Sequence, residues 1–273
     1  MRKCLLQLAL LAYAATAGAD NEAIAQPEAR ESNWRLGAAL GYGLRSNPLV
    51  QSDDIPIIVD LDIAWFGDRF FFDNGDIGLT FVSNDYVTAS LVGRFNSDRV
   101  FFGKTETRFV NIDLAGAPLS ENAEFKVPDR DYAIELGVEL LSDGDWGHLQ
   151  MSAFSDVSDT HNGYEIYINY GYGWRDQRWY IEPSFGLSYK SADLNNYYWG
   201  VRDAEAGLVS PSYTAEDGIN SHARLMFSYQ INKNWNLSLV AEFEHLNDEA
   251  AASPLVEDEN LLGFFAGFGF RFR

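Results

Sequence analysis

The sequence predicts an all-β protein, a transmembrane antiparallel β-barrel of about twelve strands, with about ten as the alternative. Three observations carry that expectation. The final stretch, Leu261 to Arg273, reads LLGFFAGFGFRFR. Strand periodicity puts Leu262, Phe264, Ala266, Phe268, Phe270 and Phe272 on one face, and Gly263, Phe265, Gly267, Gly269 and Arg271 on the other. Aromatics make up 15% of the 273 residues and there are 23 glycines, while no apolar run after the N-terminus approaches the ~18 residues a spanning helix needs. The N-terminus reads as an export signal. Alternation by itself also fits a soluble β-sandwich, whose apolar face would meet a second sheet instead of lipid.

The leader is residues 1–19. Arg2 and Lys3 are its basic region, Cys4 to Ala15 its apolar core, and Ala17-Gly18-Ala19 its cleavage site. The single cysteine, Cys4, leaves with it, so no disulfide or thiolate chemistry remains. Residues 20–33 are a polar periplasmic lead-in, and the barrel occupies 34–273.

Strand one is Trp34 to Arg45, with Leu36, Leu40 and Leu44 outside and Gly37, Gly41 and Gly43 inside. Strand two is Ile55 to Phe66, with Ile57, Val59, Leu61, Ile63 and Trp65 outside and Ile58, Asp60, Asp62 and Ala64 inside. Arg69 to Val82 is strand three, with a bulge at Asn74-Gly75. Tyr86 to Phe95 and a weaker segment, Arg99 to Val110, follow. Asp131 to Leu141 alternates cleanly, with Tyr132, Ile134, Leu136, Val138 and Leu140 outward. Then come Trp146 to Ser155, Tyr164 to Arg175, Trp179 to Lys190, Ile219 to Ile231, Trp235 to His245 and the final strand. Including the weak segment makes the count even, which brings both termini to the periplasmic side and puts the long loops outside. Trp34, Trp65, Trp174, Trp179 and Trp235 fall near strand ends, where amphipathic rings rest at the headgroups.

The formal net charge is −20, which excludes nucleic acid as a partner. Asp60, Asp62, Glu135, Glu139, Glu165, Glu182, Glu242 and Glu244 are expected to face the lumen, opposed by Arg35, Arg175, Lys190, Arg224 and Arg271. Such a lumen would prefer cations if it conducts. Asp60 and Asp62, at i and i+2, lie about 7 Å apart and could act as an acid–base pair, but lumen-facing positions of a barrel are ordinarily polar, and that is the preferred reading. His161, in Thr160-His161-Asn162-Gly163, reads as a solvated loop histidine. An outer-membrane phospholipase would carry Ser two residues after its His, and Gly163 stands there. His148, His222 and His245 have no ligand spacing. No catalytic residue, metal site or cofactor motif is found, so the expectation is a protein that is not an enzyme. Tyr197, Tyr198 and Trp199 cluster in the longest predicted loop and are a candidate contact for a ligand or partner. Gly37, Gly41 and Gly43 should meet Gly263, Gly267 and Gly269 across the barrel seam. This strip serves curvature, or receives Phe265, Arg271 or the lead-in. A charge on the outer face, as in Leu136→Arg, should be costly, and Glu135→Gln inside should be mild.

Three stretches carry a family resemblance: Gly41 to Phe72 (GYGLRSNPLVQSDDIPIIVDLDIAWFGDRFFF), Asn195 to Val201 (NNYYWGV), and Ser253 to Phe272 (SPLVEDENLLGFFAGFGFRF). Together they resemble the MltA-interacting protein (MipA/OmpV) family. The resemblance implies an outer-membrane barrel of the Gram-negative envelope, surrounded by lipid, with no catalytic residues. It also implies a scaffold joining a murein transglycosylase to a murein synthase; a small cation-preferring channel, an adhesin or an osmotic-response protein is the alternative. The family pattern departs at Asn96 to Arg130 and at the terminal Arg273.

Overall fold

The computed structural model describes residues 33–102, 127–206 and 211–272. Its strands are β1 (Trp34–Arg45), β2 (Ile55–Phe66), β3 (Phe70–Asp73), β4 (Asp76–Ser83), β5 (Val87–Phe95), β6 (Ile134–Gly144), β7 (Gly147–Asp156), β8 (Tyr164–Gly171), β9 (Trp174–Asp176), β10 (Trp179–Lys190), β11 (Gly218–Gln230), β12 (Trp235–His245) and β13 (Asn260–Phe272). Each pairs antiparallel with its neighbour, and β1 pairs with β13, from Leu36↔Phe272 to Arg45↔Gly263. β8 and β9 both pair with β10 and form one strand broken at Tyr172-Gly173. The pairing of β10 with β11 completes the ring, a closed barrel of 12 strands.

The count agrees with the sequence, but two of its members were misassigned. Asn74-Gly75 is a hairpin turn and not a bulge. Asn74 has φ 48° and Gly75 φ 113°, and Asp73 pairs with Asp76 across them. Two central residues at positive φ make the primed turn that matches strand twist, and Asn-Gly is its usual sequence. Asn74 anchors the turn to β2, since its Oδ1 accepts from the Ile63 N–H at 2.8 Å. The predicted strand Arg99 to Val110 is not one over its described part, because Asp98–Phe102 is a 3₁₀ turn; residues 103–110 lie outside the described residues. So do residues 1–32, which hold the leader and nearly all of the lead-in, and Arg273.

A second correction concerns β2. The register runs Leu40↔Val59 and then Gly43↔Ile57, so β1 carries one extra residue. That bulge reverses the pleat beyond it. Ile57 turns inward and is 8% exposed, whereas Ile58 points out at 54%.

Elsewhere the predicted outer faces hold. Ile134, Leu136, Val138 and Leu140 are all exposed, as are Leu40, Ile168, Phe264 and Phe268. The buried positions include Glu135, Glu165, Glu182, Lys190 and Ser188. A chain with charges inside and a continuous apolar belt outside is built for lipid, because water would not tolerate so large an apolar surface. Every tryptophan except Trp199 lies at the end where β1 begins and β13 finishes, the end with the short turns 67–69, 84–86, 145–146, 177–178 and 231–234. Short turns and the termini mark the periplasmic side.

Candidate functional site: the lumen and its outer cap

Strand register arranges the inner face in rows. One row is Met226, Val240, Phe265, Gly43 and Ile57, each opposite the next. With Tyr180 these side chains pack into an apolar cluster inside the barrel. Gly43 contributes no side chain, and the Phe265 ring turns over the glycines beside it. A Cβ on Gly41 or Gly267 would lie 2.8 or 2.6 Å from Phe265 Cζ. Phe265 is therefore one occupant of the glycine strip named from the sequence.

The rows on either side are polar. Toward the outside, Arg224 pairs with Glu242 at 3.1 Å and Arg45 with Glu244 at 3.3 Å. These side chains, with Arg94, Glu165, Tyr167 and His222, line a cavity of about 240 Å³. Toward the periplasm the rows Asn236–Gly269–Ala39–Asp60 and Arg271–Gly37–Asp62 border a cavity of about 180 Å³. The apolar cluster lies between the two cavities along the strands.

All the predicted acidic positions face inward, and most meet a partner. Arg35 holds Asp62 at 2.9 Å. Arg94 donates from Nε to Glu135 at 2.8 Å and from its terminal nitrogen to Glu165, and lies 3.8 Å from the Phe154 ring centre. Glu139 accepts from Gln150 at 2.7 Å. Glu182 accepts from the Tyr180 hydroxyl, with His148 at 3.7 Å. Among the described residues, Asp60 Oδ1 is buried without a hydrogen-bond partner. Asp60 and Asp62 thus differ in environment, Asp62 being tied to Arg35.

His161 is not solvated. Its ring is fully buried, with Nδ1 accepting from the Gly163 N–H at 3.0 Å and Nε2 3.2 Å from Glu135. Those partners place the proton on Nε2, donating to Glu135. The loop that delivers it is wound on Asp156, whose carboxylate accepts from the backbone of Ser158, Thr160, His161 and Asn162. Glu135 also accepts from Asn96 at 2.7 Å.

The outer mouth carries a cap. It contains the 3₁₀ turn Asp98–Phe102, helix α1 (Ala192–Trp199) and the short helix α2 (Asp248–Ala251). Leu49, Phe101, Phe102, Leu194, Tyr198, Trp199, Leu246 and Leu255 form its apolar core. Tyr198 and Trp199 are 0% exposed, so of the sequence-derived contact trio only Tyr197 presents surface. Burial and the charges of Asp98 and Glu135 push the Tyr198 phenol up. Lys190 reaches from β10 into the cap, its Nζ 2.6 and 2.7 Å from the two oxygens of Asp98. Arg130, fully buried, donates to Glu205 at 2.7 Å and to the Gly200 carbonyl at 2.9 Å. Partial burial works to raise the Glu205 carboxyl, but hydrogen bonds from Arg130 and the Arg202 N–H outweigh it and hold it below the usual carboxylate range. Asn220 on β11 accepts from Asn247 Nδ2 at 2.7 Å, and Asn195 Nδ2 donates to Asn247 at 3.2 Å. This buried amide chain ties α1, β11 and α2 together. Sequence reasoning missed it and Arg130, and read His161 as solvated, because single polar residues carry no periodic signal of their partners.

The family model described as MltA-interacting protein MipA matches residues 12–272. The chain belongs to that family. Among curated proteins, it is similar to outer membrane protein Omp26La of Vibrio anguillarum, 29% identical over 142 residues, covering 52% of this chain and 55% of that protein. It is also 29% identical to OmpV of Vibrio cholerae serotype O1 over 172 residues, covering 59% of this chain and 65% of that one. These two matches therefore span a little over half to just under two thirds of the relatives' length. The similarity to the MltA-interacting protein of Escherichia coli K12 is 24% over 230 residues, covering 83% of this chain and 85% of that protein. Among solved structures the chain is similar to the COG4313 outer membrane channel of Pseudomonas putida F1, with a TM-score of 0.40 and 9% identity over 91% of this chain and 98% of that one. MipA-family membership, the outward apolar belt and relatives that are outer membrane proteins place the chain in the outer membrane.

Proposed function

We propose that this outer-membrane barrel is a non-enzymatic scaffold for murein-cleaving and murein-synthesising enzymes. The observation that carries the reading is the filled lumen. An apolar cluster lies between two small cavities, the charges around it are mostly paired, and loops bury Trp199 over the outer mouth. A barrel so occupied is better suited to anchoring than to passing solutes. Its periplasmic turns and the segment 20–33, read as a lead-in exposed after removal of residues 1–19, are then the working surfaces. The name of the Escherichia coli relative, MltA-interacting protein, supports a transglycosylase as one partner; the synthase is the further step of this proposal. Crosslinking in intact envelopes followed by pull-down of the barrel tests it. Recovery of a murein transglycosylase and a murein synthase is the expected result. Recovery of the barrel with neither enzyme, at crosslinking levels that capture other envelope complexes, would overturn it.

A cation-preferring channel is the second reading. It draws on the inward carboxylates, of which Asp60 alone among the acidic positions has a buried oxygen without a partner.

A further inference from the structure

We propose that the periplasmic cavity is a binding site for a small zwitterion of dipeptide size, taken up with its ammonium group innermost and its carboxylate at the rim. This goes beyond the scaffold reading and does not depend on it.

The cavity exists because the seam is short of side chains there. Phe265 fills the strip over Gly41 and Gly267, but it does not reach the lower rows. Gly269 lies opposite Ala39, and Ala39 opposite Asp60; Arg271 lies opposite Gly37, and Gly37 opposite Asp62. The small residues at the centre of each row leave about 180 Å³ open. A water occupies about 30 Å³ of liquid, so the space suits a ligand of a few heavy atoms to a dipeptide. The walls are polar, with the Asn236 amide and Ser228 and Ser238 hydroxyls among the lining groups.

Charge varies along the cavity. The turn residues Arg178 and Lys233, with Arg175 beside them, line its mouth; Asp62 shares a row with Arg271, and Asp60 lies deeper. Asp62 already binds Arg35 at 2.9 Å. Asp60, one inward position deeper, keeps a buried oxygen with no hydrogen-bond partner among the described residues. A buried carboxylate oxygen without a donor is costly, and because the Asp60 side chain also lines the cavity, a ligand ammonium there would face a carboxylate short of donors. The mouth offers guanidinium groups, whose planar donor forks match a carboxylate. From the Asp62–Arg271 row to Asp60 is two residues along the strand, about 7 Å. An extended dipeptide spans a similar length, since each residue covers ~3.3–3.6 Å. A purely anionic ligand would meet the acidic wall, and a purely cationic one the basic mouth; the zwitterion satisfies both.

The test is calorimetric titration of the full, detergent-folded barrel with alanylalanine, its N-acetyl derivative and its C-terminal amide. Folding of each protein is checked by heat-modifiable gel mobility. Alanylalanine should bind saturably, and each blocked form should bind at least about tenfold more weakly, a loss of roughly 1.4 kcal/mol. Asp60→Asn should remove the discrimination against the N-acetyl form and keep that against the amide. Arg178→Gln, at an exposed turn position, should weaken alanylalanine binding while leaving the barrel folded. Absence of saturable binding by the folded wild type, or equal binding of all three compounds, would overturn the proposal. So would unchanged discrimination in folded Asp60→Asn.

Discussion

Arg94 shows how single residues hold this molecule. Its guanidinium joins Glu135 on β6 to Glu165 on β8 and lies on Phe154 from β7. The three charged side chains are 9% exposed or less. Removing one partner of a buried charge network strands the others, at a cost of about 3–5 kcal/mol. Arg94→Ala should therefore lower barrel stability by that order in a urea titration, and a loss under about 1 kcal/mol would show that water reaches the network. Glu135→Gln, expected from sequence to be mild, now falls in the same class, since Glu135 serves Arg94, Asn96 and His161 together. Inward orientation was legible from strand parity, and the partners were not, because they come from other strands and from a loop whose path alternation does not encode. Glycine gives a second test at this scale. A Cβ on Gly41 would stand 2.2 Å from the Ala266 carbonyl oxygen, but one on Gly37 meets nothing nearer than 3.3 Å. Gly41→Ala should thus destabilise clearly more than Gly37→Ala, and equal effects in the same titration would contradict the seam geometry.

At the level of elements, the β3–β4 hairpin was the main misreading. A bulge and a turn both interrupt alternation at Asn74-Gly75; the positive φ at both positions decides for the turn. A Cβ on Gly75 would meet nothing within 4 Å, so the effect of Gly75→Ala is conformational alone. It should cost roughly 1–2 kcal/mol, measurable as a lower unfolding midpoint, and a neutral result would argue against the turn. The bulge opposite Ile58 was equally invisible, because one extra residue in β1 leaves the composition of β2 unchanged while exchanging the faces of Ile57 and Ile58. The cap makes a pH prediction. Glu205 is held ionised by Arg130 below its ordinary range, so its contribution is complete above the unfolded carboxylate pKa and fades as pH falls through the lower folded value. Acidification should quench or shift Trp199 emission in wild type, and Glu205→Gln should remove that step; an identical acid transition in the variant would exclude Glu205 as its source.

For the whole molecule, the sequence conveyed the barrel and its family. It did not convey how the interior is filled. Alternation reports which residues face inward, but Phe265 lying over Gly41 and Gly267, or α1 burying Tyr198 and Trp199, depends on shapes meeting across the barrel. The outer belt predicts that Leu136→Arg, placing a cation in lipid, costs roughly 2–4 kcal/mol near mid-membrane. The occupied lumen is the central structural feature of this barrel. Planar-bilayer recording of the purified barrel, with insertion verified independently, tests that most directly. The expected result is no steady conductance from the wild type, with channel steps appearing when Phe265, Tyr180 and Met226 are replaced by Ala together. Steady, ohmic, cation-preferring current from the wild-type barrel would contradict it.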